Sequence, residues 1–371
     1  MNATGSLRSL LSDNTVPAHS DLVTRESDAI RCLACGHRCL IRDGREGICR
    51  VRFNRNGELR VPGGYVAGLQ VDPIEKKPFN HAFPGRDALS FGMLGCDLHC
   101  SYCQNWVTSQ ALRDDEAVSL PNSCSPKQLV ELAIEHNVPV VVSTYNEPLI
   151  TSEWAVEVFK EAKARGLTCG YVSNGNGTPE VLRFIRPYVD LYKVDLKSFD
   201  DRHYRELGGV LANVLATIEQ LVVMKFWVEI VTLVIPGFND SDDELIKMAA
   251  FLAGVSKDMP WHVTAFHPDY KMTDPPCTPV ETLVRAHDIG KAAGLRYVYA
   301  GNLPGDVGEN ENTFCPTCNK IIIRRRGFYV LENRMTTPGR CPGCDETIAG
   351  VWESAAPRQS AGTGIPKSGW R

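Results

Sequence analysis

The chain has 371 residues, 43% of them hydrophobic and 23% charged, and a formal net charge of −4. That composition suits a soluble chain with core to spare for appended modules, and it lacks the global basic footprint of a nucleic-acid binder. No window approaches the roughly 18 uninterrupted apolar residues of a membrane-spanning helix, and no signal-peptide run opens the chain. A cytoplasmic location without membrane contact is the expectation, and there fourteen cysteines point to metal rather than disulfides.

Residues 1–30 are mainly polar and are expected to form a mobile arm. Residues 31–87 carry Cys32, Cys35, Cys39 and Cys49, four thiols within eighteen residues, enough for one closed metal site. Zinc is the expected occupant, a second 4Fe-4S cluster is the open alternative, and His37 is a competing ligand.

From 88 to 302 short apolar runs alternate with amphipathic stretches, the sequence form of β/α units around a parallel sheet. Strands are expected at 88–94, 139–144, 167–173, 191–197, 226–236 and 261–266, with a further one at 296–300. Ser125-Pro126 and Thr178-Pro179 read as helix starts, Ser152 and Ser241 as further caps, and Gly166 as a stop. Cys96, Asn146 with Glu147, Asn174, Asp195 with Lys197, Pro236 with Gly237, and His267 all fall at strand carboxyl ends. In a barrel those ends converge on one face, so an α/β partial (β/α)6 barrel is expected in place of a doubly wound sheet.

The sharpest chemical signal is Cys96-Asp97-Leu98-His99-Cys100-Ser101-Tyr102-Cys103, directly after the first of these strands. Three thiolates at this spacing can hold an iron-sulfur cluster while leaving one iron open for a chelating cofactor. A zinc site completed by His99 is the competing reading. Farther on, in residues 303–352, Cys315-Pro316-Thr317-Cys318 and Cys341-Pro342-Gly343-Cys344 flank a hairpin-like segment at 321–333. Two such knuckles make a zinc ribbon, closed to catalysis and therefore structural or a docking element. Arg324, Arg325 and Arg326 read as a solvated hairpin face, with RNA or an acidic partner as the alternative. Cys124, Cys169 and Cys277 stand apart as buried or inert thiols, and 353–371 reads as a disordered tail.

The Cys96-to-Cys103 motif is similar to that of the radical S-adenosylmethionine (SAM) superfamily. Asp72-Pro73-Ile74-Glu75-Lys76-Lys77-Pro78, Cys103-Gln104-Asn105-Trp106, Thr144-Tyr145-Asn146-Glu147-Pro148 and both Cys-rich modules resemble the AmmeMemoRadiSam system radical SAM enzyme over residues 31–352. That family is related to the pyruvate formate-lyase activating enzymes. The resemblance implies a 4Fe-4S cluster on Cys96, Cys100 and Cys103, and reductive SAM cleavage to a 5′-deoxyadenosyl radical that abstracts hydrogen from a substrate. It implies an electron donor and, as partners, Memo-like and Amme-type proteins. It implies that Tyr102 packs near the SAM adenine and that Asn146 and Glu147 stand where a Gly-Gly-Glu motif meets the SAM amino group. Asn174 would lie in a Thr-Asn-Gly-like turn, Asp195 and Lys197 in an Asp-Leu-Lys motif holding SAM and a monovalent cation, and His267 near the ribose. The alternatives are a glycyl-radical activating enzyme and a non-catalytic zinc-ribbon adaptor for protein or RNA.

Overall fold

The structure, a computed structural model, describes residues 3–117 and 119–353. At its centre lie eight strands: β1 (Gly68–Pro73), β2 (Asp87–Gly92), β3 (Val140–Ser143), β4 (Thr168–Ser173), β5 (Leu191–Asp195), β6 (Trp227–Val234), β7 (Trp261–Ala265) and β8 (Val298–Gly301). They form one sheet in the order β8-β7-β6-β5-β4-β3-β2-β1, and every neighbouring pair from β2 to β8 is parallel. β1 alone runs antiparallel, pairing Gly68 with Gly92 and Pro73 with Asp87. The sheet stays open at β1 and β8. Because Val172 of β4, Val231 of β6 and Thr264 of β7 line one cavity, it curves into a partial barrel.

The parallel strands form because their apolar runs are covered on both faces. Val140, Val141 and Val142 are fully buried, in register with Ala88, Leu89 and Ser90 on one side and Thr168, Cys169 and Gly170 on the other. The crossover helices are α1 (Pro126–Glu135), α2 (Ser152–Ala164), α3 (Pro179–Ile185), α4 (Leu211–Val223), α5 (Asp242–Val255) and α6 (Val280–Ala292). Ser125 and Gln128 close a capping box on α1, Thr178 caps α3, and Ser241 caps α5 above an acidic first turn. Ser152 is displaced from its expected cap position by the 3-10 turn Pro148–Thr151, and its hydroxyl donates back to the Leu149 carbonyl instead. None of the described helices is long and apolar enough to cross a membrane.

Three parts differ from the sequence expectation. The parallel strands, the further one near 296–300 included, fall where they are expected, but β1, which lies within the stretch assigned to the N-terminal module, joins their sheet; with a single alternation and a terminal proline, this edge strand carries little local signal. The expected mobile arm is instead woven into the N-terminal module. Helix Ala3–Asp13 buries Leu7 and Leu11, Thr15–Pro17 pairs with the strand Glu58–Pro62, and Val23–Glu26 pairs with Ala29–Cys32. Two leucines four residues apart supply that anchor despite the polar composition. The expected tail, apart from Glu353, lies outside the described residues.

The third difference is Arg325. The ribbon hairpin forms as expected from Ile321–Arg326 and Tyr329–Asn333, but strand alternation turns Arg325 inward between the more exposed Arg324 and Arg326. Its guanidinium donates to Thr313 Oγ1 and to the Asn80 carbonyl, both at 2.7 Å. Beside it, the buried Glu229 of β6 accepts from the Asn80 and His81 N–H groups, from Trp227 Nε1 and from His262 Nε2. His81 then links the Ala349 carbonyl to the Tyr299 hydroxyl, fastening the ribbon to the barrel wall. The N-terminal module is fastened by Arg52, which reaches both carboxylate oxygens of Glu153 on α2 at 2.7 Å.

Candidate active site at the barrel mouth

β2 runs into Met93, Leu94 and Gly95. Gly95 has φ +93, and a Cβ there would lie 2.7 Å from Val51 and 3.2 Å from the Cys49 carbonyl oxygen, so only glycine allows this turn. The loop beyond it presents Cys96, Cys100 and Cys103. Leu98 N–H donates to Cys96 Sγ at 3.4 Å, Asn174 Nδ2 lies 3.9 Å from the same sulfur, and Ser109 Oγ lies 3.1 Å from Cys103 Sγ. Burial pushes the Cys100 thiol up to about 11, with Lys197 opposing, and raises Cys96 well above its ordinary value. Buried thiols with donors aimed at their sulfurs become thiolates when a cation holds them, which fits an iron-sulfur cluster.

Around Cys96 the strand ends form a buried polar wall. Asp97 is fully buried and accepts from Asn174 Nδ2 at 2.7 Å and from Asn176 Nδ2 at 2.8 Å. Asn146 Oδ1 accepts from the Met93 N–H at 3.0 Å. Glu147 is turned into this wall: it accepts from Ser173 Oγ and Asn174 N–H at 2.7 Å each and from Leu149 N–H at 3.1 Å. Burial and then Asp97 push its carboxyl up to about 8, against those three donors. The 3-10 turn after β3 supplies one of these donors, Leu149 N–H, and the end of β4 supplies the two shorter bonds that draw the carboxylate inward.

The mouth holds a cavity of about 370 Å³ lined by Cys100, Tyr102, Cys103, Lys76, Lys77, Tyr145, Lys193, Asp195 and Lys197 among others. Asp195 pairs with Lys193 and, at 3.4 Å, with Lys197; burial alone would raise its carboxyl, but the two lysines hold it below the ordinary value. Lys197 Nζ sits 5.9 Å from the Tyr102 ring centroid, and Phe238 meets the same ring edge-on. An adjoining cavity of about 380 Å³ shares Pro78, Gln104, Thr264, Asn302 and Phe328 with the first. His267 lies in that second cavity, its Nε2 3.2 Å from Gln104 Nε2, and so does not share the lining of Cys100 and Cys103.

Of the residues expected at the mouth, Cys100, Tyr102, Cys103, Asp195 and Lys197 therefore share one cavity. Cys96, Asn146, Glu147 and Asn174 belong to the wall beside it. Four further residues meet the mouth or its wall: Lys77, Tyr145 and Asp97 stand inside the sequence motifs without a signal of their own, and Lys193 carries none beyond its strand.

The two modules differ in geometry. Cys315, Cys318, Cys341 and Cys344 have sulfurs all within 4.8 Å of one another, with Cys315 and Cys344 at 3.5 Å and Cys318 and Cys341 at 3.6 Å. This is a closed set for one tetrahedral ion. In the N-terminal module Cys32, Cys35 and Cys49 are buried and Cys39 partly so. His37 Nε2 lies 3.1 Å from the Asp97 carbonyl and Gly36 N–H donates to the Asn176 carbonyl at 2.8 Å, so the module packs against the Cys96 loop. Of the isolated cysteines, Cys124 and Cys169 are buried, but Cys277 is exposed, on the loop that follows β7.

Residues 92–249 match the sequence profile described as Radical SAM superfamily. The uncharacterized protein MJ0808 of Methanocaldococcus jannaschii is 36% identical over 327 residues, covering 87% of this chain and 96% of that protein. The pyruvate formate-lyase-activating enzyme of Staphylococcus epidermidis is 29% identical over 183 residues, covering 47% of this chain and 72% of the enzyme. A crystallised domain of the pyruvate-formate lyase-activating enzyme from Bacteroides vulgatus superposes with a TM-score of 0.40 at 19% identity, over 44% of this chain and 98% of that one.

Proposed function

Since the chain belongs to the radical SAM superfamily and is a SAM-dependent enzyme, we propose that Cys96, Cys100 and Cys103 hold its 4Fe-4S cluster and that the mouth cavity takes SAM and substrate together. When bound, the cluster supplies the electron that cleaves SAM and so yields a 5′-deoxyadenosyl radical for hydrogen abstraction. The observation that carries the reading is that Cys100, Cys103, Tyr102, Asp195 and Lys197 line one cavity at the barrel mouth. Tyr102 offers the adenine an aromatic face, while Asp195 offers a carboxylate for SAM and a monovalent cation. Asn146, Glu147 and Asn174 set the wall against which the SAM amino group lies, and His267 borders the ribose from the adjoining cavity. Excluding water from this cavity protects a reactive radical from side reactions.

The compact C-terminal thiol set supports a zinc ion there. The N-terminal set is assigned zinc as well, with a second 4Fe-4S cluster as the competing occupant. The motif from Asp72 to Pro78 and the two modules support membership of the AmmeMemoRadiSam system, with Memo-like and Amme-type partner proteins in the cytoplasm, and a reductant completes the reaction. The similarity to the staphylococcal activating enzyme favours a second reading, transfer of the radical to a glycine of a partner protein. The test is anaerobic reconstitution followed by metal analysis and incubation with SAM and dithionite. One redox-active 4Fe-4S cluster, zinc and 5′-deoxyadenosine are expected; a preparation that takes up no iron overturns the reading, and iron approaching eight atoms per chain moves the N-terminal module to a second cluster.

A further inference from the structure

We propose that Lys77 anchors the substrate as an imine and that the substrate is a small 2-oxo acid. This deepens the radical reading and rests on it. Lys77 follows the turn Ile74–Lys76 after β1, and its side chain, 5% exposed, lines the same cavity as Cys100 and Cys103. Its Nζ lies 3.1 Å from Asp72 Oδ2 and 3.1 Å from the Tyr145 hydroxyl. None of the cluster or SAM assignments uses it.

Tyr145 is built into its place with unusual constraint. It holds φ +68, a left-handed conformation unfavourable for an aromatic residue. A Cβ on Gly92 would lie 2.3 Å from the Thr144 carbonyl and 2.7 Å from Tyr145 Cβ, and one on Gly68 would lie 3.0 Å from the Tyr145 ring. Thr108 Oγ1 fastens the Tyr145 carbonyl at 2.7 Å. Two glycines on neighbouring strands, a strained backbone and a loop hydroxyl thus converge to hold one phenol beside one amine.

Burial pushes Lys77 down to about 8, with Asp72 opposing, so a working share of the amine is neutral near physiological pH. The neutral nitrogen adds to the C2 carbonyl carbon; Asp72 takes the proton that nitrogen sheds, and Tyr145 delivers one to the former carbonyl oxygen. Asp72 returns its proton to that oxygen, which leaves as water as the C=N bond forms, and the Tyr145 phenolate takes back a proton from the iminium nitrogen. Amine and ketone become imine and water, with no oxidant or reductant required. The cavity explains the acid group: with Lys77 neutral, Lys76, Lys193 and Lys197 stand against Asp195 in the lining and Asp72 behind it, which leaves one net positive charge for a carboxylate beside the carbonyl. An imine also stabilises a radical formed on the adjacent carbon.

The experiment incubates the full-length protein with pyruvate and sodium cyanoborohydride and maps reduced adducts by peptide mass spectrometry. Lys77 is expected to be labelled well ahead of exposed Lys127, and Tyr145→Phe is expected to slow labelling about a hundredfold, the scale of lost general-acid assistance. Labelling of Lys77 no faster than Lys127, or at Lys193 in its stead, overturns the proposal without any variant having to fold. 5′-Deoxyadenosine formation is measured on iron-loaded protein in parallel. Cleavage of SAM without an adduct removes the imine alone, whereas an adduct without SAM cleavage at a loaded cluster removes the radical reading.

Discussion

Glu147 Oε2 accepts the backbone N–H of Asn174 at 2.7 Å, stitching the end of β3 to the end of β4. The same Asn174 extends its amide to Asp97 and toward the sulfur of Cys96. The carboxylate therefore controls the wall of the mouth from behind.

Glu147→Gln should disturb that stitch, because the new amide brings N–H against a neighbouring donor. Leaving one buried donor unmet costs about 1 to 3 kcal/mol, which corresponds to roughly tenfold to a hundredfold in SAM affinity if the wall shapes the SAM site. The variant should keep its cluster absorbance. Calorimetric SAM binding unchanged from the parent would show that the stitch is a scaffold detail.

Cys100→Ala should behave in the opposite way. Two remaining thiolates do not retain a 4Fe-4S cluster, so iron content, visible absorbance and 5′-deoxyadenosine should all collapse together. Retention of a full cluster would move the third ligand elsewhere.

Cys341→Ala opens the compact thiol set of the ribbon. Metal binding free energy at such a site is folding free energy, so zinc content and thermal stability should fall. SAM cleavage per intact cluster should persist in the folded fraction. Loss of cleavage with the cluster retained would place the ribbon in the reaction.

Glu229→Gln removes the charge that four buried donors share. Breaking a buried charged network typically costs about 3 to 5 kcal/mol, which urea unfolding can read. A change below the error of that measurement would mean that the Glu229 charge does not hold the junction of ribbon and barrel.

His81 supplies a pH test of the same junction. Burial pushes it down to about 4, against the opposing charge of Glu229. It stays neutral when folded but gains a proton when unfolded below about 6.5. Its contribution is fully present above that pH and is lost as pH falls toward 4, by about 3 kcal/mol in total. Between those pH values the parent should lose that much more stability than His81→Gln, and parallel urea-stability curves would refute the assignment.

The sequence by itself determined the features whose signals are local. The spacing of Cys96, Cys100 and Cys103, the paired knuckles of the ribbon, the apolar runs of the parallel strands and the caps at Ser125, Thr178 and Ser241 are each written within a few neighbouring residues, because ligand loops, strands and helix starts are short-range geometry. Only the tertiary structure decided which side chains face the mouth. Strand-end residues can point into the cavity or into its wall, and the donors that draw Glu147 inward come from β4, 26 and 27 residues away. Lys77 meets Tyr145 across 68 residues, over gaps left by Gly68 and Gly92. Arg325 reaches Asn80 across 245 residues. Those pairings depend on where the chain returns in space, and no local period encodes that.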